Sequence, residues 1–256
     1  MGPEAFVGVT DWRSIVLALV FVLWWLVWLA RGRMGSIWLW LPAAVTAALF
    51  PYVLAWMQVP LQQAMGRILS QQFDAAMLQS LLLVVSIPSL LIASVVQELV
   101  KAVVGIGFLK LIGEDRDSRA GLAQGAAAGA GFGGFEAFWT FNTIFGAGFT
   151  LGTIQLAGWM VLLGFVERFF AVSFHIGTAA ISVYGYATGR FWRFFLLSVV
   201  LHTVYNFSVV LMSAKLLDAT SVEIYGAVVS LLTIGLAIRL RQDRRSMRYL
   251  AKGWSA

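Results

Sequence analysis

The sequence predicts an all-α protein, a polytopic transmembrane helical bundle of seven spans. Three observations carry this expectation. Of the 256 residues, 60% are hydrophobic and only 12% are charged, against about 25% charged in an ordinary soluble domain. Mean hydropathy is +0.85, and the apolar runs reach about 20 residues, the length that crosses a hydrocarbon core. The positive charges, finally, collect on one side of the layout those runs define.

The spans fall at roughly 14–30, 37–57, 78–110, 121–142, 165–187, 192–213 and 222–240. The first follows Glu4 and Asp11 and precedes Arg31 and Arg33. A cleavable signal peptide has its positive charge ahead of the apolar run, so this reads as a retained span with its N-terminus outside. Residues 58–77 mix polar and apolar side chains and are expected along the membrane surface. The third run is too long for one straight crossing, so a tilt, a bend at Pro88 or a surface turn ahead of it is expected. Residues 143–164 are apolar and glycine-rich, and read as a re-entrant piece, a short helix or an eighth span.

Of the 18 Lys and Arg residues, 13 lie on one side, including Arg31, Lys110, Arg119, Arg190 and the tail after Leu240. Three lie on the other, Arg13, Arg67 and Lys215, while Lys101 and Arg168 fall within spans. The positive-inside rule puts the 13-charge side, and with it the C-terminus, in the cytoplasm of a multi-pass membrane protein. The chain reads as one integral membrane domain over 1–256, with a basic tail at 241–256 that contacts anionic lipid. The basic residues flank apolar spans, which argues against nucleic acid as a partner. With no cysteine, a disulfide framework and thiolate chemistry are excluded.

Within the spans, the polar residues stand out. Gln97-Glu98-Leu99-Val100-Lys101 sets a carboxylate and an ammonium three residues apart in an apolar run, on one helix face. The fourth span holds Gly121, Gly125, Gly129 and Gly133, then Glu136. Small residues every four positions let helix backbones approach closely in a bilayer, which would press Glu136 against a neighbour. The fifth span holds Glu167, Arg168 and His175, and the sixth His202 and Asn206. Ionisable groups are costly in lipid and mark functional sites by default. At about 1.5 Å rise per residue, Glu98, Glu136, His175, His202 and Asn206 lie about 14–26 Å from the cytoplasmic ends of their helices, one layer in a core about 30 Å thick.

Two chemistries suit such a layer. A carboxylate could act as general base on a water while histidine and asparagine hold a carbonyl and its developing oxyanion. Alternatively His175, His202 and Glu136 could hold a divalent metal such as Zn2+, although no HExxH-type spacing is present. Glu98 is the expected base or orienting acid, tuned by Lys101. Glu136 and His175 would position the water or metal, and His202 and Asn206 would bind the carbonyl.

The order Gln97-Glu98-x-x-Lys101, Phe132-x-x-x-Glu136, His175, His202-x-x-x-Asn206 resembles the PrsW and YhfC families of intramembrane proteases, relatives of the CAAX prenyl-protein endopeptidases. The likeness covers about residues 90–210. It implies an intramembrane endopeptidase acting on a membrane-anchored or lipidated protein, with Glu98, Glu136, His175, His202 and Asn206 as the site. Gln97, Lys101 and Arg168 would support it, and some members of these families are described as metalloproteases. Gln97 stands where those families usually have glutamate, and an amide cannot act as the base. Glu98 or Glu136 would then serve, or the chain is a protease-like binder that does not cut, or Gln97 is a substrate-trapping change. Phe132 in place of a histidine leaves Glu136 alone in that motif. A proton- or ion-coupled transporter is the rival reading, since buried Glu, His and Lys also build relays.

Overall fold

The computed structural model describes residues 10–242, so Glu4 and the tail after Gln242 lie outside it. The described residues form helices α1 (Trp12–Ala30), α2 (Ile37–Val53), α3 (Val59–Gln72), α4 (Ala75–Ser80), α5 (Leu82–Val85), α6 (Ile87–Leu111), α7 (Ser118–Gly146), α8 (Leu151–Ala157), α9 (Leu163–Ala187), α10 (Phe191–Ser213) and α11 (Ala219–Gln242). No strand occurs among them. Six helical segments are long and apolar enough to cross a membrane, and the protein is an integral membrane protein.

The seventh long helix, α7, is not among those six, and its surroundings explain why. Every residue from Ala120 to Gly134 is buried, enclosed by α9, α1, α2 and α6. A helix sheathed by other helices need not be apolar towards lipid, so glycine and alanine can replace large side chains. The outer helices carry the lipid-facing apolar surface instead, with Leu19, Trp24, Trp28, Leu196 and Leu232 exposed.

The α7 glycines have the function their spacing suggests. A Cβ on Gly125 would overlap the Ala179 carbonyl and sit 2.8 Å from Ala180 Cα, and one on Gly129 would overlap the His175 carbonyl and sit 2.7 Å from Ile176 Cα. A Cβ on Gly133 would lie 2.9 Å from His175 Cβ. The stripe is therefore a groove in which α9 lies backbone to backbone. Gly131 makes the same kind of approach to α2, where Thr46 Oγ1 donates to the Ala128 carbonyl at 2.8 Å.

One segment departs from expectation, and two others resolve alternatives that the sequence left open. α2 does not turn along the surface at residue 58. It passes through a π-helical turn, Leu54–Gln58, and runs on as α3 to Gln72. The widened turn follows Pro51, whose missing N–H interrupts the ladder. The combined 36 residues reach about 54 Å, well past a core of about 30 Å. Pro88 starts α6 rather than bending it, lying in the first turn where a missing N–H costs nothing. Residues 151–157 form a two-turn helix, followed by a 3-10 turn at Trp159–Leu162, and neither is long enough for an eighth span.

Contacts at the ends group the helix termini as the charge count does. Arg33 pairs with Glu114, and Arg241 donates to the Trp28 carbonyl, which brings the ends of α1, α6 and α11 together. Lys110 lies 5.4 Å from the Tyr186 ring, adding the end of α9. At the opposite face Arg13 sits 4.2 Å over Phe145, joining the start of α1 to the end of α7.

Replacing Gly129 by leucine should force α7 from α9 at a cost of about 1–3 kcal/mol or more, read as a lowered thermal midpoint and loss of a monodisperse peak in detergent. Gly66→Ala in α3, where a Cβ meets nothing within 4 Å, should instead stabilise by about 0.5–1 kcal/mol.

Candidate functional site

The polar residues of α6, α7, α9 and α10 meet in one connected network. Its centre is the Lys101 ammonium, fully buried. It donates to Glu98 Oε1 at 2.6 Å, to His175 Nδ1 at 3.0 Å and to Thr178 Oγ1 at 3.2 Å. An ammonium has three N–H donors and no acceptor, so these three bonds satisfy it. The pairing of α6 with α9 is thereby set by one side chain.

The network also sets the histidine tautomers. His175 Nδ1 faces a pure donor, so it carries the lone pair. In the neutral ring the proton is then on Nε2, which donates to Glu136 Oε2 at 2.8 Å. His202 has the opposite arrangement. Its Nδ1 lies 2.6 Å from Glu98 Oε1, a carboxylate oxygen, and donates to it. The His202 Nε2 lone pair is left available. The two rings lie 5.3 Å apart, and Phe174 packs edge-on against both.

A cavity of about 520 Å³ opens against this layer, between α9, α10 and α11. Gln97, Glu136, Glu167, Arg168, His175, His202, Tyr205, Asn206 and Glu223 line it. Arg168 bonds Glu167 through both oxygens and reaches Glu136 Oε1 at 3.1 Å, while Tyr205 donates to Glu167 at 3.2 Å. Asn206, one turn beyond His202, has no hydrogen bond to another described residue. Gln97 donates to Gln58 Oε1 at 2.9 Å, and its own buried Oε1 has no partner.

Every site residue read from the sequence is therefore in this layer, and the geometry distinguishes the two carboxylates. Glu98 is fully buried and does not line the cavity. Its Oε1 is engaged twice, so it orients His202 rather than meeting water directly. Glu136 is partly accessible, with 24% of its side chain exposed, and lines the cavity. Among the described residues, the group close enough to share one ion is Glu98, His175 and His202, with donor atoms within 4.8 Å of one another. Glu136 is not in that group, because it binds the outward nitrogen of His175. One carboxylate and two imidazoles suit zinc, and the unpartnered, buried Glu98 Oε2 is a free donor atom for it.

Sequence reading missed several contributors. Thr178 and Tyr205 lie three residues beyond His175 and His202, on the same helix faces, and that spacing was their only signal. Gln58 was hidden in the stretch assigned to the surface. Glu223 gave no signal, since nothing in the sequence aligns α11 with the site.

The family model described as YhfC intramembrane metalloprotease matches residues 148–226. This agrees with the resemblance carried by the motifs, and the chain is similar to that family over this stretch. The match holds Glu167, Arg168, His175, His202 and Asn206. Glu98, Lys101 and Glu136 lie outside it. No curated protein and no solved structure matches the chain.

Arg168→Met would leave Glu136 and Glu167 without their shared counter-ion on a largely enclosed wall, at a cost of about 3–5 kcal/mol. The thermal midpoint should fall accordingly and recover in part when Glu167→Gln is added.

Proposed function

We propose that this chain is an intramembrane endopeptidase that hydrolyses a peptide bond of a membrane-anchored protein at the cavity beside His175 and His202. The observation that carries the reading is the buried Glu98–His202 pair. It leaves one imidazole lone pair on a ring that lines a cavity shared with Glu136, Arg168 and Asn206, in a chain similar over residues 148–226 to intramembrane metalloproteases.

In this reading His202 Nε2 accepts a proton from a cavity water as the water attacks the scissile carbonyl. Glu98 stabilises the imidazolium that forms and holds the ring by Nδ1, so the glutamate activates water through histidine. The unengaged Asn206 amide donates to the developing oxyanion. His202 then gives that proton to the leaving amide nitrogen as the C–N bond breaks, and His175, fixed between Lys101 and Glu136, keeps Glu136 on the cavity wall, where that carboxylate orients the water. If a divalent ion such as zinc is bound, Glu98, His175 and His202 would hold it and His202 Nε2 would be a ligand in place of the base, the ion supplying Lewis acidity towards water and carbonyl instead. The substrate enters from the bilayer, and its scissile segment must be extended, since a helix conceals its carbonyls. The basic face and the C-terminus are cytoplasmic and the N-terminus outside.

Gln97 fits this reading without being the base. It lines the cavity and is bonded to Gln58, which fixes the start of the Gln97-Glu98-x-x-Lys101 turn against the π-helical turn ahead of α3.

Membranes carrying the parent protein should show new protein termini by terminal proteomics. These should persist with Gln97→Glu, and fall by at least 100-fold with His202→Ala and with Glu136→Ala. Equal cleavage in a folded His202→Ala variant would sink the assignment of that ring, and no cleavage by parent or Gln97→Glu would sink proteolysis itself.

A further inference from the structure

We infer that Lys101 is a resident cation that competes with a divalent metal for Glu98 and His175, so that metal enters the site only as the ammonium leaves it. The inference rests on the reading above that Glu98, His175 and His202 are the metal-holding side chains.

The same two side chains serve both cations. Lys101 Nζ takes Glu98 Oε1 at 2.6 Å and His175 Nδ1 at 3.0 Å. Both residues belong to the group whose donor atoms lie within 4.8 Å of one another. The conflict is sharpest at His175. A metal needs an imidazole lone pair, and the lone pair of this tautomer is on Nδ1, the atom that Lys101 holds. The other nitrogen is committed to Glu136 at 2.8 Å. His175 therefore becomes a ligand only by releasing the ammonium or by exchanging its proton and releasing Glu136.

Charge acts in the same direction. An ion drawing on Glu98 and His175 stands within a few ångströms of an ammonium that no water screens, because Lys101, Glu98 and Thr178 are all fully buried. The ammonium is retained in the metal-free protein for the complementary reason. Without it Glu98 would be an uncompensated buried carboxylate with one oxygen already lacking a partner. Lys101 thus holds the ligands apart from metal and in place for it. The Lys101 ammonium also lies 5.6 Å from the centre of the Phe132 ring. Glu136, on the opposite nitrogen of the His175 ring, offers a second carboxylate to a displaced ammonium.

The test is zinc binding by the purified full chain in detergent, by equilibrium dialysis against a series of zinc buffers with elemental analysis. Lys101→Met and Lys101→Gln should each bind one zinc at least tenfold more tightly than the parent, and Lys101→Arg no more tightly than the parent. Adding His202→Ala to Lys101→Gln should remove that zinc. Lys101→Gln keeps an N–H donor for Glu98 and guards against a Met variant that does not fold, with folding checked by circular dichroism and gel filtration. The inference is overturned by folded Lys101→Gln binding zinc no more tightly than the parent, or by zinc surviving His202→Ala. Absence of zinc from every variant would overturn it too, yet would leave proteolysis standing or falling on the terminal proteomics.

Discussion

A single buried ammonium organises this protein. In lipid there is no water to solvate Lys101, so its three donors must find three acceptors inside the bundle, and they find Glu98, His175 and Thr178. Those acceptors have further partners. Glu98 holds His202 of α10, and His175 holds Glu136 of α7. Four helices are thereby tied at one depth. The glycine groove of α7 is the steric condition for that tie, because His175 reaches Glu136 only if α9 lies against Gly129 and Gly133. Packing and electrostatics are here one constraint: a side chain larger than hydrogen in the groove would break the ion network as well as the helix contact.

The layer divides into a closed part and an open part. Glu98, Lys101 and Thr178 are sealed, and Glu136, Arg168, Glu167, Tyr205 and Asn206 face the cavity. The histidines stand at the boundary, each with one nitrogen on the sealed side. This division lets strong, dry hydrogen bonds set tautomer and orientation while the opposite edge of His202 stays open to the cavity and that of His175 holds Glu136. It also explains why two carboxylates of one layer are unequal. Glu98 is saturated at one oxygen and enclosed, whereas Glu136 shares Arg168 with Glu167 at the cavity wall.

Much of this could be read from the chain because lipid makes polar residues conspicuous. The seven long helices, the groove at Gly121 to Gly133, the convergence of Glu98, Glu136, His175 and His202, and the side on which the charges gather all follow from spacing and depth. What spacing could not reveal is direction across helices. Whether Glu98 or Glu136 faces the cavity depends on helix rotation, which a four-residue repeat leaves open by a full face. Gln58 was out of reach for another reason: the π turn after Pro51 carries α2 onward, and a mixed polar run reads like a surface segment whichever way it goes. α11 contributes Glu223 through tertiary packing alone.

The family match and the geometry divide the site between them. The matched stretch supplies both histidines, Asn206 and Arg168, while the unmatched α6 and α7 supply Glu98, Lys101 and Glu136. Histidines alone in a bundle are ordinary interhelical hydrogen-bonders. It is the carboxylate on His202 Nδ1 that leaves a lone pair at the cavity, and the ammonium on His175 Nδ1 that turns the other ring the opposite way. With Glu98 replaced by an apolar residue, His202 could adopt either tautomer without any change in the matched helices. The orientation of both histidines is therefore decided on α6, by the Gln97-Glu98-x-x-Lys101 turn, which binds them from outside the stretch that the family model matches.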